Sequence, residues 1–262
     1  MLDDSRFMIP LQLAGQLIME NGGETYRVED TISRMGHAFG LKDVDSFAIP
    51  SGIFISYRKS DGSLETAVKR VRRGPTNLTR VDEVNAVSRL LESDNLSCED
   101  VLEKLEAIAQ RPPLASPWIL VLVVAISSGG WAVMFGGGKW DFWDFACGIA
   151  AGALMQAFTT LLDQLRMKSL VSTLTGSFLA ALFPMFFHHL TGLGTVEMIV
   201  AGTLMPMLPG VAMTNAVQDA MRGDMVSAIS HAINALLTAA LIAGGALAAS
   251  WIFSLLMGGG LL

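Results

Sequence analysis

Cysteine is nearly absent from this chain: Cys98 and Cys147 are the only two, one in each half. Neither a disulfide framework nor a cysteine-based metal spacing is available, and a thiol-containing intracellular N-terminal half fits. Charge is the second scarcity. Only four of the 18 Lys+Arg and six of the 24 Asp+Glu lie after residue 113. The net charge of −6 argues against a nucleic-acid partner. There is no GxGxxG, Walker loop, HExxH, GxSxG or CxxC pattern, so no nucleotide-driven or catalytic signature emerges and no cofactor is expected. The opening MLDDSRFMIPLQ is acidic and lacks a basic n-region and an apolar h-region, so the N-terminal half is not expected to be exported.

What is abundant is apolar sequence. A hydrocarbon core about 30 Å thick takes roughly 20 apolar residues per helix, and the second half supplies several such runs. The economical division is a domain at 1–113 and a membrane domain at 114–262. The expected fold class is an α+β cytoplasmic N-terminal domain followed by an all-α polytopic membrane domain of about five transmembrane helices.

The N-terminal half reads α-α-β-β-β-α-α. Leu11, Ala14, Leu17 and Ile18 mark a first helix closed by Asn21-Gly22-Gly23. Thr25 is positioned to cap a second, whose stripe is Val28, Ile32, Met35 and Phe39. Strands are expected at 44–49, 53–57 and 64–71, with turns at Ser51-Gly52 and Asp61-Gly62. Two helices follow, one carrying Val81, Val84, Val87 and Leu91, the other capped by Ser97. Lys69, Arg70, Arg72 and Arg73 read either as a solvated strand end or as a contact for anionic lipid headgroups or an acidic solute. Glu24, Arg27, Glu29, Asp30 and Arg34 read as an exposed face of ion pairs rather than a site.

Five spans are expected at about 117–135, 142–162, 169–190, 196–213 and 226–257, the last long enough to tilt, kink or extend beyond the bilayer. Small residues along the spans, with Gly-rich ends at 136–138 and 258–260, permit close helix packing. The tryptophans fall mostly near span ends. Arg166, Lys168 and Arg222 sit in loops on one side and Lys139 on the other. The positive-inside rule then puts the N-terminal domain in the cytoplasm and the C-terminus outside.

The most informative stretch is TLMPMLPGVAMTNAVQDAMRGDMVSAISHAIN. Pro206, Pro209 and Gly210 interrupt an apolar segment that then passes Asn215, Asp219 and Asp224. A break in lipid needs protein or water to satisfy the freed backbone groups, so it is expected to line a cavity. Ser227, His231, Asn234 and Thr238 recur at helical spacing on the last span. Gln156, Thr159, Thr160 and Asp163 gather toward the cytoplasmic end of the second. The candidate substrate pathway is therefore Pro206, Pro209, Gly210, Asn215, Asp219, Asp224, Ser227, His231, Asn234, Gln156 and Asp163. Asp219, Arg222 and Asp224 fall in an expected cytoplasmic connection, where charges are cheap and simple solvation competes with a gate or binding role. His231 reads as a hydrogen-bonded structural histidine or as a proton carrier. His188 and His189 read as caps of the third span, and Glu197 as a marker of the membrane edge. No metal site is expected.

The elements NGGETYRVEDTISRMGHAFGL, FAIPSGIFIS and NLTRVDEVNAVSRLLES, followed by LMPMLPGVAMTNAVQDAMRGDMVSAISHAINALLTAALIAGG, resemble the threonine/serine exporter (ThrE) family over nearly the whole chain. Fused members carry a second membrane block, and in length this chain resembles the larger subunit of the split form. The resemblance implies a heteromeric exporter whose partner is a small multi-span membrane subunit of the YjjB type, with homo-oligomerisation possible. Split pairs are implicated in dicarboxylate (succinate) export and fused members in threonine and serine export. Arg166, Lys168 and Arg222 would then form a cytoplasmic basic vestibule that attracts a dianion. A zwitterion would instead use broken-helix amides with Asp163, Asp219 or Asp224. Without an ATP motif, coupling to an ion gradient is the default, with protons first. A membrane-tethered enzyme or a sensor domain on a membrane anchor is the competing class.

Overall fold

The computed structural model describes residues 4–72, 74–94, 96–112, 115–137 and 141–257. Arg73, Gly138, Lys139, Trp140 and the 258–260 glycines lie outside them. The chain separates into two compact units: 1–112 with 211–232, and 113–210 with 233–262.

In the first unit a 3-10 turn (Asp4–Phe7) leads into α1 (Met8–Glu20), then α2 (Thr25–Ala38), β1 (Lys42–Ile49), β2 (Gly52–Arg58), β3 (Leu64–Arg70), α3 (Leu78–Asp94) and α4 (Cys98–Gln110). The strands form an antiparallel sheet in the order β1-β2-β3, with Phe47, Phe54 and Val68 in register across it. Alternation along β2 divides the sheet's faces. Ile53, Ile55 and Tyr57 are buried against the helices while Phe54 is exposed. Val28, Ile32 and Met35 of α2 are fully buried in the same core, and each large side chain so buried contributes about 2 kcal/mol. Gly40 adopts a φ of +77° just past α2, which suits a helix end that only glycine enters without strain. Ser97 and Asp100 form a reciprocal capping box on α4.

The charges of α2 divide in two. Arg27 pairs with Glu24 at 2.7 Å and Arg34 with Asp30 at 2.5 Å, as the helical spacing predicts. Glu29 departs from that pattern: it is half-buried and accepts the Ala48 N–H at 2.9 Å. Burial pushes the Glu29 carboxyl above its ordinary range; the Ala48 bond opposes this, and the negative charges of Asp224, Asp45 and Asp219 add to it. A carboxyl raised in this way favours the folded state when protonated. Its stabilising contribution is present below the unfolded value of 4.5 and lost as pH rises through the folded value. Glu29→Gln is therefore expected to raise thermal stability at neutral pH and to leave it nearly unchanged near pH 4; unfolding scans at the two pH values check this.

The second unit holds α5 (Pro117–Phe135), α6 (Phe142–Gln164), α7 (Ser169–Thr191), α8 (Val196–Leu204), a 3-10 turn at Met205–Met207 and most of α10 (Met225–Met257). Ser116 caps α5 with Pro117 at its first position, and Asp141 caps α6 by accepting the Trp143 N–H at 2.7 Å. Helices α5, α6 and α8 meet along small residues. A methyl group on Gly148 would stand 2.9 Å from the Gly129 Cα, and one on Gly202 would overlap the Ala132 backbone. Trp118, Trp143 and Trp251 are exposed near helix ends, as interfacial aromatics are.

Four helices are long and apolar enough to cross a bilayer, and five if the bent pair Val196–Met207 and Gly210–Met221 counts as one span. The fourth span expected at about 196–213, with its interruption at Pro206, Pro209 and Gly210, is such a bent pair. α8 stops at Leu204, and α9 (Gly210–Met221) begins after Pro209. Pro206 and Pro209 supply the reason, since neither donates a backbone hydrogen bond. α10 runs 33 residues, about 50 Å at 1.5 Å per residue. Its first turns group with the N-terminal unit.

Candidate functional site

The turn between α9 and α10 builds the site. Gly223 has a φ of +84°. Its N–H donates to the Ala220 carbonyl at 3.1 Å, and the Asp224 N–H donates to the Asp219 carbonyl at 2.9 Å. These two bonds define a Schellman close to α9, and they hold Asp219 and Asp224 at fixed backbone separation. Gly223→Val would force a β-branched residue into the left-handed region. It is expected to cost about 1–2 kcal/mol, read as a lowered unfolding temperature.

On α9, Ala212, Asn215 and Asp219 form one buried stripe. Within the N-terminal unit that stripe meets the turn between α1 and α2. The Asn215 amide donates to the Gly22 carbonyl at 3.3 Å. One helical turn on, Asp219 Oδ1 accepts the Thr25 hydroxyl at 2.8 Å, and Asp224 Oδ2 lies 3.1 Å from the same oxygen. Thr25 therefore does not cap α2. Glu24 holds the cap position, without a side-chain cap bond, and Thr25 is the first helical residue. Its side chain is free to engage α9. Asn21-Gly22-Gly23 makes the approach possible: Gly22 has a φ of +88°, and the Gly23 N–H returns to the Ile18 carbonyl at 2.9 Å.

From α10, the His231 Nδ1–H donates to Asp219 Oδ2 at 2.9 Å, both side chains being about 1% exposed. Ser227, one turn earlier, is also buried, and its Oγ has no hydrogen-bond partner among the described residues. Buried polar atoms left unpaired are uncommon. Arg222 extends from the turn over the Tyr26 ring, 3.4 Å from its centroid, a cation–π contact. Burial acts to raise Glu24, but its hydrogen bond and charge contact with Arg27, aided by Arg222, hold that carboxyl below its usual range. The cluster carries more acidic than basic groups, so its chemistry suits a proton or an ammonium better than a dianion.

Of the residues singled out from sequence, Asn215, Asp219, Asp224, Ser227 and His231 are brought together, with Arg222 beside them. Asp219 is buried rather than solvated, contrary to what a cytoplasmic connection implies. Pro206, Pro209, Gly210, Asn234, Gln156, Asp163, Arg166 and Lys168 belong to the other unit. There, Gln156 donates to Thr160 at 3.3 Å and Ser172 donates to Asp163 at 3.1 Å, while Asn234 is exposed. His188 Nδ1 lies 2.8 Å from the Gly194 carbonyl oxygen, in the loop that follows α7. Glu197 is exposed in the first turn of α8. Among the described residues no group of three His, Cys, Asp or Glu side chains is placed to hold a metal ion. Sequence reasoning missed Thr25, Tyr26 and Glu29 as parts of the site. Their proximity to the α9–α10 turn depends on contacts about 190 residues apart in sequence and is visible in no local pattern.

The architecture is that of a multi-pass inner-membrane protein with an N-terminal α+β domain of cytoplasmic type. A family model described as "Putative threonine/serine exporter" (ThrE) matches residues 11–253, and the chain belongs to that family. Its members are transporters of small carboxylates or amino acids, not enzymes. The chain is 27% identical over 231 residues to the "Probable succinate transporter subunit YjjP" of Klebsiella aerogenes, covering 87% of this chain and 86% of that one. It is 26% identical over 234 residues to the protein of that name in Escherichia coli, covering 88% of each. A "Probable threonine/serine exporter" of Mycobacterium tuberculosis is 22% identical over 233 residues, 87% of this chain but 43% of that protein. No solved structure matches the chain.

Proposed function

We propose that this chain is the larger subunit of a two-component, proton-coupled exporter of small dicarboxylates such as succinate. The observation that carries the coupling is the buried Asp219–His231 pair, 2.9 Å apart. Ionisable groups are costly to bury and are kept where they bind or move charge, and histidine titrates near neutral pH. Similarity along almost the full length of two proteins described as "Probable succinate transporter subunit YjjP" supports the substrate class. The acidic cluster then serves the proton. The dianion would meet basic residues of the cytoplasmic loops, Arg166 and Lys168 in one unit or Arg222 in the other, or charges on a small multi-span companion subunit. The substrate route would pass the Pro206–Gly210 break. In this reading residues 1–113 are the cytoplasmic domain, residues 114–262 the membrane domain, and the C-terminus faces outward.

A second reading, export of threonine or serine, is favoured by one feature: the carboxylates of Asp219 and Asp224 would suit a substrate ammonium. Efflux of labelled succinate and labelled threonine from preloaded vesicles separates the two. The expected result is succinate efflux that requires both subunits and responds to the pH gradient. Threonine efflux alone would transfer the assignment to the second reading, and efflux indifferent to pH would remove the proton.

A further inference from the structure

We infer that Thr25, in the N-terminal domain, is a positioning residue of the coupling site: its hydroxyl bridges Asp224 to the buried Asp219–His231 pair and relays a proton between the two aspartates. The inference rests on the proton-coupled reading above and assigns part of the machinery to the N-terminal domain.

Hydrogen counting supplies the argument. The Thr25 hydroxyl has one proton and lies within hydrogen-bonding distance of two carboxyl oxygens, 2.8 Å from Asp219 and 3.1 Å from Asp224. A hydroxyl is one donor with two acceptor lone pairs. Both contacts are satisfied together when Asp224 is protonated and donates to Thr25 Oγ1 while Thr25 donates to Asp219. Moving each of these two protons one oxygen along leaves Asp224 ionised, Asp219 protonated and the threonine unchanged. Protons and charge are conserved. Asp224 is half-exposed and exchanges with solvent; Asp219 is sealed. A proton arriving on Asp219 neutralises the carboxylate to which His231 Nδ1–H donates. His231 thereby feels the protonation of Asp224 without meeting water.

Charged groups stand around this bridge. The negative charges of Asp224 and Asp219 act on Glu29 of α2, as does that of Asp45 of β1. Arg222 is held over the Tyr26 ring. Glu24 is engaged with Arg27.

The test uses the full-length protein in lipid nanodiscs, with histidine labelled for nuclear magnetic resonance, and vesicle efflux measured beside it. His231→Gln identifies the His231 resonance among the four histidines. Thr25→Val keeps the shape and removes the hydroxyl, and Thr25→Ser keeps the hydroxyl. Thr25→Val is expected to shift the His231 titration and to lower efflux about tenfold, as losing a hydrogen bond to a charged group does. Its pH profile of efflux is expected to flatten. Thr25→Ser should restore both properties. A His231 titration that is the same in wild type and Thr25→Val overturns the relay, whatever efflux shows. A titration that shifts while wild-type efflux ignores the pH gradient upholds the bridge and removes the proton-coupled reading instead.

Discussion

Asp219→Asn is expected to reduce export by about a hundredfold or more, with the protein still inserted in the membrane at near-normal levels. The factor is the usual contribution of a positioned proton-transfer group. The substitution preserves volume, and an asparagine oxygen can still accept the Thr25 hydroxyl that donates to Asp219 at 2.8 Å. On the opposite side its amide would face His231 Nδ1, which neutral histidine can present as an acceptor. The packing of α9 against the α1–α2 turn therefore survives, and Asn215 continues to donate to Gly22. What disappears is the charge that pairs with His231. Asp219→Leu differs in kind: it removes the carboxylate that both His231 Nδ1 and the Thr25 hydroxyl contact. Removing one side of a buried pair costs about 3–5 kcal/mol, so the leucine variant should lose folded protein as well as flux. Efflux normalised to inserted protein separates the two, and near-normal flux from Asp219→Asn would remove Asp219 from the mechanism.

Gly148→Leu is expected to have the largest effect on folding. The methyl position of Gly148 stands 2.9 Å from the Gly129 Cα and 3.2 Å from the Ser128 carbonyl oxygen. Both neighbours are backbone, so no side chain can rotate away. Overpacking usually costs about 1–3 kcal/mol and more where the backbone must move; here α5 and α6 would have to separate. In a bilayer such helices associate through close packing rather than hydrophobic burial, and lost packing has no replacement. Loss of the monodisperse protein peak in detergent, with little change in N-terminal-domain folding, is the expected outcome. A well-behaved Gly148→Leu protein would contradict the small-residue seam.

Much of the fold was legible because its signals are local. The α2 stripe Val28, Ile32 and Met35 predicted the buried face observed, and the first span, expected from about Pro117, starts where α5 does. The break at Pro206 and Pro209 was expected, but the span was drawn only to residue 213, whereas α9 runs on to Met221. Proline announces a disturbance without stating where the helix resumes, and Gly210 starts α9. The site was legible in part. Ser227 and His231 lie one turn apart on one face, which suggested a polar stripe; Asn215 and Asp219 were expected only as polar residues following the break. Asn234 continues the spacing loosely yet falls on an exposed part of α10. Thr25 was misread because a threonine at a helix start usually caps it, and only the tertiary contact with Asp219 redirects the hydroxyl. Glu29 was assigned to an ion-paired face for the same reason: its partner is the Ala48 N–H of a strand, not a residue one turn away.

The most direct test of the account is succinate efflux from vesicles containing this chain and its small membrane companion, with and without an imposed pH gradient, for wild type and Asp219→Asn at matched insertion. Flux is expected to rise with the gradient in wild type, to require both subunits, and nearly to vanish in the variant. Equal flux from wild type and Asp219→Asn under both conditions would contradict it.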